Sequence, residues 1–246
     1  MVNDFWTKRS DEFNENRVKD LKGEKKDIWK NIITDVIKSG KGLKALDIGS
    51  GPGFLSSILW ELGFDVTGID YSEKMVKYAK KNAKMLGYYD IEYLQMDAQD
   101  LEFEDETFDF IISRNVTWTL PDPEKAYGEW SRVLKKDGIM LNFDGNYGTG
   151  YIMAKEKNEE YLEIQERNNS EYDSTMTKDI IDQRNEILSN LYISKITRPQ
   201  WDINVLFKNG INKLTVDLNI NKKAKIFNQV NYKYNNVIGA YNMFMI

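Results

Sequence analysis

Ala45-Leu46-Asp47-Ile48-Gly49-Ser50-Gly51-Pro52-Gly53-Phe54 is the stretch on which the reading of this chain turns. A short apolar run ends in an acidic residue, three glycines at alternate positions follow, and an amphipathic segment comes next. The pattern predicts strand, turn and helix. Glycine has no Cβ, so such a turn adopts positive φ and lets bare backbone approach a ligand. The helix that follows offers unpaired N–H groups at its N-terminus. Turns of this kind hold nucleotide-like ligands at the carboxyl ends of strands in doubly wound α/β sheets.

The spacing separates ligand classes. A dinucleotide turn has G-x-G-x-x-G. Counted from Gly49, the third glycine falls on Phe54; counted from Gly51, it falls on Ser56. The pattern here is D-x-G-x-G-x-G, headed by Asp47. Downstream, Phe64 to Asp70 reads as a second strand ending in a carboxylate, 17 residues after Gly53. Doubly wound folds place an acidic residue ~20 residues on, where it accepts hydrogen bonds from ribose hydroxyls. Ser72 suits the N-cap of a helix running to about Leu86. Ile91 to Ala98 reads as a third strand and Phe108 to Ser113 as a fourth. A helix over Pro123 to Leu134, the turn Lys136-Asp137-Gly138 and a fifth strand, Ile139 to Phe143, complete the order.

This order resembles the class I S-adenosylmethionine (SAM) methyltransferases over about residues 40–145, with D-x-G-x-G-x-G as their first motif. Asp137 stands where that family has proline, in a turn. The resemblance implies a Rossmann-like α/β fold with a mostly parallel seven-stranded sheet, an antiparallel last strand and flanking helices. It implies SAM as cofactor, S-adenosylhomocysteine (SAH) as product and no metal. Cofactor contacts then fall on Gly49, Ser50, Gly51, Gly53, Asp70, Tyr71, Met75, Asp97, Ala98, Arg114 and Asn115. Of these, Asp70 would take the ribose and Met75 the adenine face. Asp97 and the Ala98 N–H would take the adenine edge. An N-terminal helix carrying Trp6, Arg9 and Phe13 loosely matches one that closes over the methionine end, which puts Arg9 near the cofactor carboxylate.

Composition narrows the chemistry. The chain has 246 residues, 41% hydrophobic and 13% aromatic, enough for one large domain. A net charge of −5 and a pI near 5.1 argue against a phosphate-binding face, so no nucleic-acid partner is expected. There is no cysteine and no histidine, so disulfides, thiolate nucleophiles and the commonest general base are missing. Methyl transfer tolerates this, because the donor carries its own activation and the protein positions the acceptor. No apolar run reaches the ~20 residues of a membrane span. The N-terminus lacks a signal-peptide core, so no membrane association and a cytoplasmic location are expected.

The expected organisation is a single methyltransferase domain, 1–246. It comprises a helical cap (1–40), a cofactor-binding core (41–145), a helical insertion or lid (146–198), and a final helix with a strand hairpin (199–246). Within the insertion, Ile152 to Asn168 and Thr177 to Leu191 read as helices. Trp201 to Asn209 reads as the last core helix, with strands at Lys213 to Ile220 and Gly239 to Ile246. The acceptor cavity is expected to draw on Trp6, Trp118, Asp144, Asn146, Tyr147, Tyr151 and Trp201. The expected acceptor is a small molecule. RNA, protein, a quinone precursor, or a role as a non-catalytic SAM/SAH-binding module stand as alternatives. Oligomeric state and the identity of any general base are left open.

Overall fold

The computed structural model describes residues 2–146, 177–218, 220–223 and 243–245. Two helices, α1 (Val2–Lys22) and α2 (Glu24–Val36), precede the first strand. Strands and helices then alternate: β1 (Lys44–Ile48), α3 (Phe54–Glu61), β2 (Asp65–Asp70), α4 (Glu73–Leu86) and β3 (Glu92–Gln95). β4 (Phe108–Arg114), α5 (Pro123–Val133) and β5 (Leu134–Gly145) follow. Further on lie α6 (Lys178–Asn190), α7 (Gln200–Lys208), α8 (Ile220–Lys223) and a short β6 (Met243–Met245).

The strands lie in the order β3-β2-β1-β4-β5-β6. All pairs from β3 to β5 are parallel, and β6 pairs antiparallel with the end of β5. The chain moves outward from β1 to β3, then returns to lay β4 on the other side of β1. Neighbouring loops at the carboxyl ends of β1 and β4 therefore leave in opposite directions and open a crevice there.

Side chains alternate across the central strands and build two cores. Ala45, Val66, Phe110, Ile112 and Phe143 face Trp29, Ile33, Leu55, Ile58 and Val76 on the α2–α3–α4 side. Leu46, Ile48, Ile69 and Ile111 face Tyr127, Trp130, Val133 and Leu206 on the α5–α7 side. Burial on both faces explains why these strands read as continuous apolar runs.

Three expectations change. The described sheet has six strands, not seven. Among the described residues, 213–218 form no strand, and Ile220 opens α8. The alternation that looked strand-like has another cause: Leu214 and Val216 pack as irregular chain against the α5–α7 core. β5 also begins earlier, at Leu134, directly after α5. Its register jumps from Phe108↔Leu134 to Phe110↔Ile139, so residues 135–138 bulge opposite Asp109. The segment read as a helix over Ile152 to Asn168 lies outside the described residues, as do 239–242 of the expected last strand.

Candidate functional site

The glycine turn is held from two sides. Ser50 N–H donates to the Ile69 carbonyl at 2.8 Å. Gly51 N–H donates to Asp70 Oδ2 at 2.9 Å, and Ser72 N–H donates to Asp70 Oδ1 at 2.9 Å. Asp70 thus anchors the turn and the start of α4, while each of its oxygens keeps capacity for a further donor. Burial raises the Asp70 pKa, against the opposing pull of those two N–H bonds. Gly49, Gly51 and Gly53 all have positive φ. A Cβ on Gly49 would lie 2.2 Å from Val116 Cγ2, and one on Gly53 would lie 2.5 Å from the Tyr93 hydroxyl. Only glycine lets the turn nest this closely against the β4 loop and β3.

Asp47 lies beneath the turn, 1% exposed, and accepts from Ser56 Oγ at 2.6 Å. Burial pushes its pKa up to about 6, even though the Ser56 bonds and the Arg114 charge favour the ionised form. Arg114 lies with its guanidinium 4.7 Å over the Trp29 ring and 5.0 Å over Phe54, on the α2–α3 face. Its charge is felt by Asp47. Asn115 follows with φ +58° and donates its N–H to the Phe143 carbonyl at 2.8 Å. Positive φ at a non-glycine residue is uncommon and best tolerated by Asn.

α1 covers this edge. Phe13 comes within 3.4 Å of where a Gly51 Cβ would be. Asn82 of α4 donates to Asn14 Oδ1 at 2.8 Å and to the Pro52 carbonyl at 2.9 Å, joining helix and turn. Lys74 pairs with Asp11 at 2.7 Å, and Tyr78 also hydrogen-bonds Asp11. Trp6 meets Phe13 at 5.6 Å and 71°, and Trp118 of the β4 loop at 6.4 Å and 74°. Arg9 lies 3.8 Å from Glu12 and over the Phe5 ring.

The remaining sequence-selected residues divide. Met75 is buried in the first turn of α4, below the Ser72 cap, and Tyr71 is exposed beside it. Asp97 Oδ1 accepts from the Gln99 N–H at 2.8 Å, and the Ala98 carbonyl accepts from Trp130 Nε1 at 2.8 Å. Tyr147 and Tyr151 lie outside the described residues. Trp201 packs on Tyr127 and Tyr192 at 6.0 and 6.4 Å, against the α5–α7 core and not in the turn–loop cluster.

Asp144, expected as a polar handle of the acceptor cavity, ties the β4 loop to Arg198. It is fully buried and accepts from Trp118 N–H at 2.9 Å, Gly145 N–H at 2.8 Å and Arg198 at 3.2 Å. Arg198 also grips Asp202 at 2.6 Å, and Asp202 accepts from the Tyr127 hydroxyl at 2.6 Å. Asn142 adds bonds to Tyr127 at 2.7 Å and Thr117 at 3.1 Å. Burial raises the Asp144 pKa, opposed chiefly by the Arg198 charge. Asn146 donates to the Arg198 carbonyl at 2.9 Å. Sequence reasoning passed over Arg198, 54 residues from Asp144 in the chain, and no local pattern marks it. A groove of about 420 Å³, lined by Lys80, Lys84, Tyr88 and Tyr89, opens at the far end of α4, away from the glycine turn.

The turn fits an adenosyl cofactor. Among the described residues, Ser50 Oγ is buried without a hydrogen-bond partner, and only the Phe13 ring edge comes within 4 Å of where a Gly51 Cβ would be. Among the described residues no three potential metal ligands stand together. Fold and turn define a Rossmann-like, nucleotide-cofactor-binding domain. Residues 46–142 match the family described as "Methyltransferase domain", and over this region the chain is similar to SAM-dependent methyltransferases.

Two curated relatives are similar over this region. Phosphatidylethanolamine N-methyltransferase of Cereibacter sphaeroides is 37% identical over 104 residues, covering 42% of this chain and 51% of that protein. Demethylmenaquinone methyltransferase of Staphylococcus aureus is 33% identical over 118 residues, covering 46% and 48%. The chain spans about half the length of these relatives. A solved structure from Methanococcus maripaludis, a candidate SAM-dependent methyltransferase, superposes with a TM-score of 0.61 at 25% identity. It covers 87% of this chain and 88% of its own.

Proposed function

We propose that this chain transfers the methyl group of SAM to a small-molecule acceptor placed between the glycine turn and the β4 loop. The observation that carries the reading is the Gly51–Asp70 bond. It brings the first turn and the carboxylate of the second strand together at the crevice beside β4. Gly49, Ser50, Gly51 and Gly53 hold the cofactor's polar end, Asp70 its ribose, and Met75, Asp97 and Ala98 its adenine. Ser50 Oγ and the second lone pairs of Asp70 supply bonds that the described residues leave unused.

When bound, SAM supplies a methyl already activated by its sulfonium charge. The chain's task is to orient the acceptor in line with it and to keep water out. Trp6 and Phe13 of α1 and Trp118 of the β4 loop do the second; Asn115 and Asn146 provide polar handles for the first. The relatives named above, a phosphatidylethanolamine and a demethylmenaquinone methyltransferase, support an acceptor that is neither nucleic acid nor protein.

The test is incubation with methyl-labelled SAM and separated small-molecule, RNA and protein fractions of a cell extract. The expected label appears in the small-molecule fraction. Label in RNA or protein instead would overturn the acceptor class. SAH binding with no label in any fraction would leave a cofactor-binding module in place of an enzyme.

A further inference from the structure

We infer that Arg198 is a positioning residue for the cofactor turn: through the β4 loop it sets how Val116 bears on Gly49. The inference rests on the methyltransferase reading above, which names the ligand that feels this contact. Val116 Cγ2 fills the place that a side chain on Gly49 would take, 2.2 Å from an ideal Cβ there. Gly49 opens the glycine turn with φ +67°. Close-packed groups transmit displacement, so a small shift of Val116 reaches the backbone that faces the ligand.

The loop around Val116 is held at successive residues. Asn115 N–H donates to the Phe143 carbonyl, a strand bond that needs no side chain. Thr117 and Trp118 are held by side chains, and both routes lead to Arg198. In the first, one oxygen, Asp144 Oδ2, accepts the Trp118 N–H at 2.9 Å and Arg198 Nη1 at 3.2 Å. In the second, Thr117 Oγ1 accepts from Asn142 Nδ2 at 3.1 Å, and the same Nδ2 donates to the Tyr127 hydroxyl at 2.7 Å. That hydroxyl donates to Asp202 Oδ1, which also accepts from Arg198 Nη2, each at 2.6 Å. The Thr119 N–H and hydroxyl both donate to the Val116 carbonyl, at 2.9 and 2.6 Å, so Val116 moves with the turn that these routes hold.

Arg198 serves both routes because of its shape. Its guanidinium is a planar fork, with Nη1 toward Asp144 and the Gly145 carbonyl, and Nε and Nη2 toward Asp202. A lysine carries the same charge as one compact point and does not span both carboxylates. The backbone of Arg198 is fixed in turn by Asn146, just past β5, which donates to its carbonyl at 2.9 Å. Thr117, Tyr127, Asn142, Asp144, Arg198 and Asp202 are all buried, so water does not replace a bond that is lost.

The experiment is calorimetric titration with SAH of the full chain, Arg198→Lys, Val116→Ala and the two changes combined. Arg198→Lys is expected to weaken SAH about five- to tenfold. Val116→Ala removes the contact with Gly49, so in that background Arg198→Lys should change the affinity by less than about twofold. Melting separates positioning from stability alone: the loss of melting temperature on Arg198→Lys should be the same in both backgrounds. Asp144→Asn keeps the volume and an acceptor for Trp118 while withdrawing the charge from Arg198. It is expected to weaken SAH in the same direction, and it decides the matter if Arg198→Lys does not fold. In the ligand-free chain, isotope-labelled at glycine nitrogen, either variant should move the Gly49 amide resonance. Unchanged SAH affinity in the folded variants, an effect of equal size with and without Val116→Ala, or an unmoved Gly49 resonance would each overturn the positioning role alone. Failure of the unchanged chain to bind SAH would overturn the methyltransferase reading and this inference with it.

Discussion

Asp47 shows how one residue serves structure and site together. Its carboxylate lies under the glycine turn, 1% exposed, and burial lifts its pKa to about 6. A carboxyl whose folded pKa is raised contributes stability that is fully present below its unfolded pKa near 4. That contribution is lost as pH rises through about 6. At neutral pH the chain therefore carries an ionised buried group at a cost on the order of 3 kcal/mol. Asp47→Asn is expected to recover much of that in urea titrations at pH 7.5 and to flatten the pH dependence between about 4 and 6. An unchanged pH profile would show that Asp47 titrates normally. Gly53→Ala should go the other way: its φ of +88° and the Tyr93 hydroxyl 2.5 Å from the new Cβ leave no room. A loss of roughly 1–3 kcal/mol is expected in the same titrations. Both residues were legible in the sequence, because their constraints are local. What the sequence did not show was the dual task of Asp70, whose carboxylate was read as a ribose acceptor. It also fastens Gly51 and Ser72.

Among the elements, the contrast is between runs and contacts. β1, β2 and β4 were readable because both of their faces are buried, and α4 because Ser72 caps it. The start of β5 was not, since a bulge opposite Asp109 has no signature beyond the turn residues it contains. Nor was the tie between β5, α5 and α7, which depends on Arg198 reaching Asp144 and Asp202. Removing one partner of a buried ion pair leaves an uncompensated charge and costs about 3–5 kcal/mol. Arg198→Met should lower the melting temperature by roughly 10 °C for a domain of this size. It should also loosen Trp118, whose N–H hangs on Asp144. Calorimetric melting measures the first effect and amide exchange at Trp118 the second; wild-type values for both would mean that the cluster is not under strain of charge. At the other side of the site, Asn82→Ala removes both bonds that join α1 to the turn. A cost of about 1–3 kcal/mol is expected, with faster exchange confined to α1.

At the scale of the whole molecule, α1 belongs to no sheet, yet it reaches the glycine turn through Phe13, the Pro52 carbonyl through Asn14 and Asn82, and the β4 loop through Trp6. On the proposed reading the cofactor lies at the sheet's carboxyl edge, and α1 shelters that place. Coupling follows from this arrangement, because a ligand that orders the turn also orders what rests on it. At 100 times its dissociation constant SAH adds about 2.7 kcal/mol to global stability by mass action. Amides that exchange by local opening of α1 should gain protection beyond that common increment. Those around Lys84 and Tyr89, at the far end of α4, should gain none. Hydrogen exchange with and without SAH separates the two regions. Equal protection in both would mean that α1 rests on the fold without closing the site. A gain at Lys84 and Tyr89 alone would place the ligand in the distal groove, and the assignment of the glycine turn would fall with it.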